Sequence, residues 1–261
     1  MKLVLTGASS FIGRQLLANL QSDEHDVIPI GRNESIRWEL GEPIPGFEDS
    51  DALIHLAYDR TRSISDSLRD TEKIINSFAG KVIYLSSMSA HSGSKSNYGR
   101  RKYLEECLFV SVGATVLKVG LVVDPHAEGV FGKLLKLVEK LPLTPVPLRG
   151  EPIFYVSHID NLIDEIKQNL MSPTSGLVRA SSKSQIRLKD LVAQIATELG
   201  FSRRLILVPK YPLHFAFVLL RVFSKRLHLL DSYFSMTKEI AEKEVSGFSS
   251  PLTDFLDFHP K

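Results

Sequence analysis

Short apolar runs alternate with segments of helical periodicity along most of the chain. Such runs predict buried strands, whereas apolar residues three and four positions apart predict helices that pack one face on a sheet. The predicted strands cover residues 2–5, 25–30, 37–40, 51–57 and 81–85. Three predicted helices cover residues 67–75, 131–141 and 188–199. Two more are predicted to begin at Arg14 and near Pro212. This alternation predicts an α/β fold built on a parallel sheet.

The turn between the first strand and the first helix, residues 6–13, is made mostly of small residues. Gly7 lets the backbone turn off the strand where a side chain would clash, and Gly13 lets the helix lie close to the sheet. Amides at the start of the helix can then bind a pyrophosphate. We therefore predict a dinucleotide-binding fold whose phosphate site consists of Gly7, Ser10, Phe11, Ile12 and Gly13.

Arg32 follows the second predicted strand, at the position that meets the adenosine ribose in such a fold. An acidic residue there accepts hydrogen bonds from a free ribose hydroxyl, whereas an arginine can pair with a 2′-phosphate. The sequence therefore favours NADP as the cofactor, with NAD as the alternative. A merely solvated arginine is the other interpretation of this position.

Tyr98 and Lys102 are four residues apart in a segment of predicted helix, so their side chains point to the same side. Tyrosine is a weak acid with an ordinary pKa of about 10, and a lysine ammonium beside it favours the phenolate. Ser87, at the end of the preceding strand, can donate a hydrogen bond to a substrate carbonyl oxygen. A Tyr-x-x-x-Lys pair also occurs by chance on exposed helix faces, so its weight depends on the motifs around it.

Four motifs occur in a characteristic order. They are a T-G-x-x-G-x-x-G-like turn at residues 6–13, an Asp-Ala-Leu-Ile-His-Leu-Ala strand at 51–57, a serine pair at 86–87 and the Tyr-x-x-x-Lys pair at 98–102. This set resembles the extended short-chain dehydrogenase/reductase family, in its NAD-dependent epimerase/dehydratase branch that modifies sugar nucleotides. The resemblance implies a Rossmann-like, doubly wound parallel sheet. It also implies a catalytic set of Ser87, Tyr98 and Lys102, of which Tyr98 and Lys102 contact the cofactor too.

The same resemblance assigns the remaining cofactor contacts. Glu39 and Leu40 are implied near the adenine, with Glu39 in place of the family's aspartate. Leu56 and Ala57 are implied beneath the cofactor phosphates and ribose. His55 lies among apolar neighbours, and we interpret it as a core histidine with satisfied hydrogen bonds rather than as a catalyst.

The chain departs from the family's motifs at several positions. Ser10 stands where the middle glycine of the turn is usual, and Val119 replaces a proline. Larger or charged residues replace small ones at Tyr58, after the His-Leu-Ala strand, and at Arg101, before the lysine. The helix predicted at residues 67–75 carries the last two departures, Ser67 and Asp70, where relatives have asparagine and glycine.

The resemblance also implies two domains. Residues 1–165 are expected to form the dinucleotide-binding domain, with an insertion near 125–150 that joins the substrate lobe. Residues 166–261 are expected to form mainly that lobe, which is small and discontinuous.

The amino-acid composition limits the classes of molecule that the chain is expected to bind. Thirty-two basic and 30 acidic residues give a net charge of +2, too balanced to indicate a nucleic acid by charge. A small-molecule partner fits better, no metal ligands are assigned, and a homodimer is left open. The single cysteine, Cys107, cannot form an internal disulfide, and no apolar leader precedes the first strand, so a cytoplasmic location is expected.

Residues 212–230 predict a helix with an apolar stripe and several basic residues. The apolar run, 213–223, is shorter than the roughly 20 residues that a membrane-spanning helix needs. Two interpretations remain for this helix. It lies on a membrane surface near a lipid-linked sugar, or it packs against the substrate lobe or a second subunit, which is the interpretation we favour.

The resemblance implies an NAD(P)-dependent epimerase or 4-ketoreductase of a nucleotide-activated sugar, with Tyr98 as the acid and base. A 4,6-dehydratase is disfavoured, because Met88 and Ser89 stand where that class carries an acidic pair after the triad serine or threonine. The alternatives are a reductase of another small carbonyl compound and a non-catalytic NADP-binding sensor.

Overall fold

The computed structural model describes residues 1–46, 49–94, 96–141, 143–147, 153–201 and 205–208. The strands are β1 (Lys2–Thr6), β2 (Asp26–Gly31), β3 (Ile36–Arg37), β4 (Ala52–His55), β5 (Lys81–Ser87), β6 (Thr115–Val119), β7 (Leu121–Val123), β8 (Thr144–Pro147), β9 (Ile153–His158), β10 (Gly176–Ala180), β11 (Gln185–Arg187) and β12 (Leu205–Val208). The helices are α1 (Phe11–Ser22), α2 (Ile64–Ser77), α3 (Asn97–Ser111), α4 (Gly129–Lys140), α5 (Ile159–Met171) and α6 (Leu188–Glu198).

The chain divides into two units. The first contains residues 1–119 and 159–181, and the second contains residues 120–158 and the described residues from 182 onward. Sequence analysis placed the division at residue 165 with an insertion near 125–150. In the structure, the segment 159–181 belongs with the large sheet because β10 pairs with β6.

The first unit is built on a seven-stranded sheet in the order β10-β6-β5-β4-β1-β2-β3. Every pairing in it is parallel, and the order reverses between β1 and β4. The central residues of the middle strands are mostly apolar and buried, as expected for a sheet with helices on both faces. This confirms the predicted Rossmann-like α/β fold.

The core of the first unit joins the sheet to its helices. Its largest members include Trp38, Tyr84 and Phe109, and the Tyr84 and Phe109 rings stack with their centroids 4.3 Å apart. The aliphatic side chains of Val4 and Leu53 from β1 and β4 belong to the same cluster. This packing fixes the strand ends that carry the candidate site.

The second unit has two small sheets. In one, β9 pairs with β7 in parallel and with β11 in antiparallel orientation. In the other, β8 pairs with β12 in parallel. Helices α4 and α6 pack against each other within this unit. Among the helices that the structure describes, none combines the length and the apolar character that crossing a bilayer requires.

Two predicted elements differ in the structure, and a third cannot be compared with it. Helix α1 begins at Phe11 rather than at Arg14, because the Ser10 side chain caps it. Residues 37–40 are not a strand, since β3 ends at Arg37 and the next residues curl around Trp38, whose indole N–H lies 3.2 and 3.1 Å from the carbonyl oxygens of Glu42 and Pro43. The predicted helix at 212–230 lies outside the described residues.

Candidate active site

The turn after β1 is a tight cradle that tolerates no side chain at two positions. Gly7 has φ +73°, and a Cβ atom there would lie 2.8 Å from the Ala57 backbone nitrogen. A Cβ atom on Gly13 would lie 2.2 Å from the Gly7 carbonyl oxygen. Both glycines are therefore required for α1 to sit against β1 and for the turn to touch the end of β4. This is the geometry that brings a helix N-terminus close to a phosphate.

Ser10 caps α1 instead of leaving its first amides open. Its Oγ accepts a hydrogen bond from the Gly13 amide at 3.0 Å, and its own amide donates to the Gly7 carbonyl at 3.0 Å. Phe11 and Ile12 follow in the first turn, where amides have no intrahelical acceptor. The serine thus uses one amide of the helix terminus, that of Gly13, and not those of Phe11 and Ile12.

Thr6 and His55 link the ends of β1 and β4. The Thr6 hydroxyl oxygen accepts hydrogen bonds from the Leu56 and Ala57 amides at 3.1 and 3.2 Å, and it lies 2.8 Å from His55 Nδ1. Because this oxygen already accepts two amides, we assign its proton to the bond with Nδ1. Burial, together with the smaller effect of the Lys102 charge, lowers the pKa of His55 to about 3. The interpretation of His55 as a satisfied core histidine is confirmed.

Arg32 is exposed in the turn after β2. Its charge reaches Asp59, whose carboxylate accepts hydrogen bonds from the Thr61 amide and hydroxyl at 2.8 and 2.7 Å. These bonds lower the pKa of Asp59, and the charges of Arg32 and Arg62 add to the effect. The guanidinium therefore follows the carboxyl end of β2, close enough to Asp59 for its charge to act on that carboxylate.

Glu39 and Leu40 lie in the loop after β3. The Glu39 carboxylate pairs with Arg37 at 2.9 Å, and the Glu39 amide donates to the Glu42 carboxylate at 2.9 Å. The Leu40 carbonyl accepts a hydrogen bond from the guanidinium of Arg62. The loop is thereby tied to the chain segment that precedes α2.

Tyr58 brings Tyr98 and Lys102 together. The rings of Tyr58 and Tyr98 meet edge to face with centroids 5.2 Å apart. The Lys102 ammonium lies 4.9 Å from the Tyr58 ring centroid, and the Arg101 guanidinium lies 4.1 Å from it. Tyr58 follows Leu56 and Ala57 directly, so the candidate acid and its lysine meet one residue beyond the segment on which Gly7 packs.

Lys102 is almost completely buried, with 5% of its surface exposed. Its Nζ donates to the Tyr84 hydroxyl and to the Leu85 carbonyl, both at 2.9 Å. Burial lowers the pKa of Lys102 to about 8, and the nearby Glu105 carboxylate counteracts part of this effect. The side chain therefore carries its charge in neutral solution and is held from the β5 side.

Ser87 ends β5, next to Val119 at the end of β6. Its Oγ lies 2.9 Å from the Ser89 Oγ and accepts a hydrogen bond from the Ser89 amide at 3.2 Å. The structure thus joins Tyr98 and Lys102 through a shared contact, whereas it places Ser87 two residues beyond the carbonyl that holds Lys102. Among the described residues, no group of His, Cys, Asp and Glu side chains could hold a metal ion.

Comparisons with known proteins agree on the architecture. No family model and no curated protein matches the chain. A UDP-N-acetylglucosamine 4-epimerase from Bacillus cereus has a TM-score of 0.67 at 16% identity, over 80% of this chain and 85% of that one. A dTDP-4-dehydrorhamnose reductase from Yersinia enterocolitica has a TM-score of 0.67 at 18% identity, over 80% and 84%. A dTDP-glucose 4,6-dehydratase from Bacillus anthracis in complex with NAD has a TM-score of 0.66 at 14% identity, over 80% and 85%.

The chain has the fold of the extended short-chain dehydrogenases. Against that fold, four departures seen in the sequence form one connected cluster. Arg101, only 3% exposed, lies on Tyr58 and donates from one guanidinium nitrogen to the Ser67 Oγ at 3.3 Å and to the Arg62 carbonyl at 2.7 Å. Arg62 in turn pairs with Asp70 at 3.2 Å. The residues at 58, 67, 70 and 101 are thus linked to one another through Arg62 and Arg101.

Sequence reasoning missed two buried glutamates on α3. The Tyr84 hydroxyl donates to the Glu105 carboxylate, and Glu105 lies 3.9 Å from the Lys102 ammonium. Glu106 accepts a hydrogen bond from Ser86 at 2.7 Å and pairs with Lys118 at 3.2 Å. A usable signal was present, because residues three and four positions after Lys102 share its helix face.

Proposed function

We propose that this chain binds NADP(H), with NAD(H) as the alternative, and acts as an epimerase or 4-ketoreductase of a nucleotide-activated sugar. One observation carries the proposal. The Gly7 turn packs on Leu56 and Ala57, and the next residue, Tyr58, contacts both Tyr98 and Lys102. A phosphate-binding turn and a tyrosine–lysine pair therefore adjoin within one unit.

The cofactor assignment rests on this cradle. In open α/β sheets, ligands bind outside the carboxyl ends of the strands where the strand order reverses, which here is between β1 and β4. A dinucleotide laid there would meet the Phe11 and Ile12 amides at the start of α1. Arg32, after β2, would face the ribose, and its charge would favour a 2′-phosphate.

The proposed chemistry assigns each residue a task. A bound nicotinamide would supply or accept the hydride. Tyr98 would give a proton to the carbonyl oxygen or take one from the hydroxyl, and the Lys102 ammonium would favour the phenolate. Ser87 would donate a hydrogen bond to the oxygen on which negative charge develops. Nucleotide sugars are proposed as substrates because the similar structures carry the names of enzymes for UDP and dTDP sugars.

Tyr98→Phe tests the proposal. It should lower turnover by about 10²–10⁴-fold, the usual contribution of a positioned acid or base, while NADP binding stays nearly intact. Lys102→Ala should weaken both. Steady NADPH consumption with candidate keto sugars would identify a reductase, and interconversion without net consumption would identify an epimerase. Retention of most activity in Tyr98→Phe would contradict the assignment.

A sensor that binds NADP without turnover is the second candidate. It is favoured by one observation, because the protein itself uses two of the three ammonium donors of Lys102. Calorimetric titration showing NADP binding would support it if UDP and dTDP sugars were neither oxidised nor interconverted with NADP and if dTDP keto sugars and simple ketones were not reduced with NADPH. Turnover of a simple ketone alone would instead indicate a reductase of another small carbonyl compound.

A further inference from the structure

Lys102, Tyr84 and Glu105 form a buried chain of three polar groups between α3 and β5. The ammonium donates to the Tyr84 hydroxyl oxygen at 2.9 Å, and that hydroxyl donates to the Glu105 carboxylate. The ammonium and the carboxylate are 3.9 Å apart. All three residues are buried. The Glu105 carboxylate therefore stabilises the Lys102 ammonium in two ways, directly across 3.9 Å and through the hydrogen bonds of the Tyr84 hydroxyl.

The direction of this chain is fixed by the protonation state of Tyr84. Burial raises the pKa of Tyr84 well above its ordinary value, and the adjacent Glu105 charge raises it further. Tyr84 is therefore a neutral phenol, which can accept from the ammonium and donate to the carboxylate at once. Its ring is stacked on Phe109 and His55, with centroids 4.3 and 5.8 Å away, so the position of the hydroxyl is set by the core.

Other charged groups near Lys102 both raise and lower its pKa. On α3 itself, Arg101 disfavours the ammonium, whereas Glu105 and Glu106 favour it, Glu105 more strongly. From β4, His55 faces Lys102 as a neutral group. The rings of Tyr58 and Tyr84 lie 4.9 and 4.5 Å from Nζ. Glu105 is therefore the main negative charge that opposes the cost of burying the ammonium.

We propose that Tyr84 and Glu105 are positioning residues that fix the Lys102 ammonium and keep it charged at neutral pH. This inference rests on the proposed function, in which Lys102 acts on Tyr98 and supports binding of the cofactor. With Tyr84 and Leu85 accepting two of its N–H groups, the third N–H group is directed by the other two bonds. The chain thereby sets both the orientation and the charge of the lysine.

Glu105→Gln tests the charge. We expect the midpoint of Lys102 ionisation, followed by NMR of lysine labelled with ¹³C at Cε and assigned through Lys102→Arg, to fall by at least about one pH unit. Glu106→Gln is the matched control, since it removes the neighbouring buried carboxylate, which pairs with Lys118. A shift in Glu105→Gln no larger than in Glu106→Gln would overturn the proposal.

Tyr84→Phe tests the phenol link and keeps its ring packing. Losing an acceptor for the ammonium should also lower the Lys102 midpoint, and an unchanged midpoint would overturn the role of Tyr84. If circular dichroism shows that Glu105→Gln does not fold, the Lys102 midpoint in Tyr84→Phe alone tests whether the buried chain sets the ionisation of Lys102. The NMR titration needs no substrate. Absence of turnover would therefore contradict the proposed function but would leave the measured ionisation of Lys102 unaffected.

Kinetics supply a second readout where turnover is found. A charged lysine is required, so activity should fall as pH rises through its ionisation, and the basic limb of the kcat profile should move to lower pH in Glu105→Gln. Activity of this variant should recover relative to wild type on acidification, which a merely structural defect would not produce. A basic limb at the wild-type position would overturn the proposal.

Discussion

At the scale of single residues, His55 shows how a hydrogen bond and burial together remove a residue from the list of catalysts. The ring is 4% exposed, receives the Thr6 hydroxyl proton at Nδ1 and stacks on Tyr84. A charged imidazolium there would lose both its solvation and this hydrogen bond. The neutral form of His55 is therefore part of the folded state.

This neutrality predicts a pH dependence of stability. The pKa of His55 is about 3 in the folded protein and about 6.5 when unfolded, so only the unfolded state takes up the proton between these values. The contribution is fully present above pH 6.5 and is lost as pH falls toward 3. Its slope approaches 1.4 kcal/mol per pH unit within the window, on the order of the full linkage value.

His55→Asn, whose carboxamide oxygen can accept from Thr6, should remove this slope in urea unfolding measured from pH 4 to pH 6, a range of about two units inside the window. The exposed His126, changed to Asn, is the matched control and should leave the slope as in wild type. Equal slopes in all three proteins would show that His55 titrates normally.

Arg32 gives a second prediction at this scale. Arg32→Ala should weaken NADP binding by about 1.5–3 kcal/mol, the range for a charge-assisted hydrogen bond, and change NAD binding little. Arg69→Ala is the control, because Arg69 is an exposed arginine that pairs with Asp66 on α2. Calorimetric titration that shows equal or stronger affinity for NAD in the wild-type protein would remove the basis for the NADP assignment.

The sequence located Tyr98 and Lys102 but not their surroundings. Their spacing of four places them on one helix face whatever the rest of the chain does. Their contacts come from Tyr58 and Tyr84, which precede the helix by many residues and reach it only because β4 and β5 are neighbours. Glu105 was readable by spacing alone, but its role depends on Tyr84, and no local pattern indicates that partner.

At the scale of elements, the cap of α1 determines which backbone amides of the turn after β1 are available to a phosphate. Ser10 accepts the Gly13 amide, which stabilises the helix start but uses a donor that a phosphate would otherwise meet. A glycine at this position, usual in the extended short-chain dehydrogenases, would leave that donor open. Because of the serine at position 10, the helix is capped, but the Gly13 amide is no longer available to bind an anion.

Two substitutions separate these effects. Ser10→Ala should lower the free energy of unfolding by about 1 kcal/mol through loss of the cap, and Ser10→Gly by only a few tenths, because glycine is itself a tolerated cap. Both expose the Gly13 amide, so we expect NADP to bind at least as tightly as in wild type. Urea unfolding and calorimetric titration check the two parts, and weaker NADP binding in Ser10→Gly would mean that the hydroxyl itself contacts the phosphate.

Helix α2 illustrates what a hydrophobic pattern misses. Helical spacing of Leu68, Ile74, Ile75 and Phe78 in the sequence predicts an apolar face for this helix. In the structure, however, the buried residues of the helix are Ser67, Asp70, Thr71 and Ile74. Arg62 pairs with Asp70 and Arg101 donates to Ser67, whereas the Thr71 hydroxyl donates to the Ser67 carbonyl within the helix. Two of the three buried polar side chains therefore have arginine partners. These partners are two arginines from other segments, one of them on α3, so residue periodicity within α2 could not reveal them.

At the scale of the whole molecule, the central strands could be predicted because each contains a continuous apolar run. The return of the chain to the sheet at β10 could not. This strand lies at the sheet edge, with Leu177 55% exposed and only Ala180 buried, so it carries no continuous apolar run. Its pairing with β6 is what assigns α5 and β10 to the first unit.

The last prediction concerns the segment 212–230, which lies outside the described residues and is argued from sequence alone. Its apolar stripe and its basic residues are Leu213, Phe217, Leu220 and Phe223, with Arg221, Lys225, Arg226 and His228. A net charge of +2 gives the whole chain little attraction to an anionic surface, and surface helices commonly bury such a stripe against protein. We therefore expect the full chain to stay in the supernatant when sedimented with anionic vesicles at low salt. Binding that is lost in high salt, and is absent with neutral vesicles, would instead place the helix on a membrane and move the expected substrate from a soluble to a lipid-linked sugar.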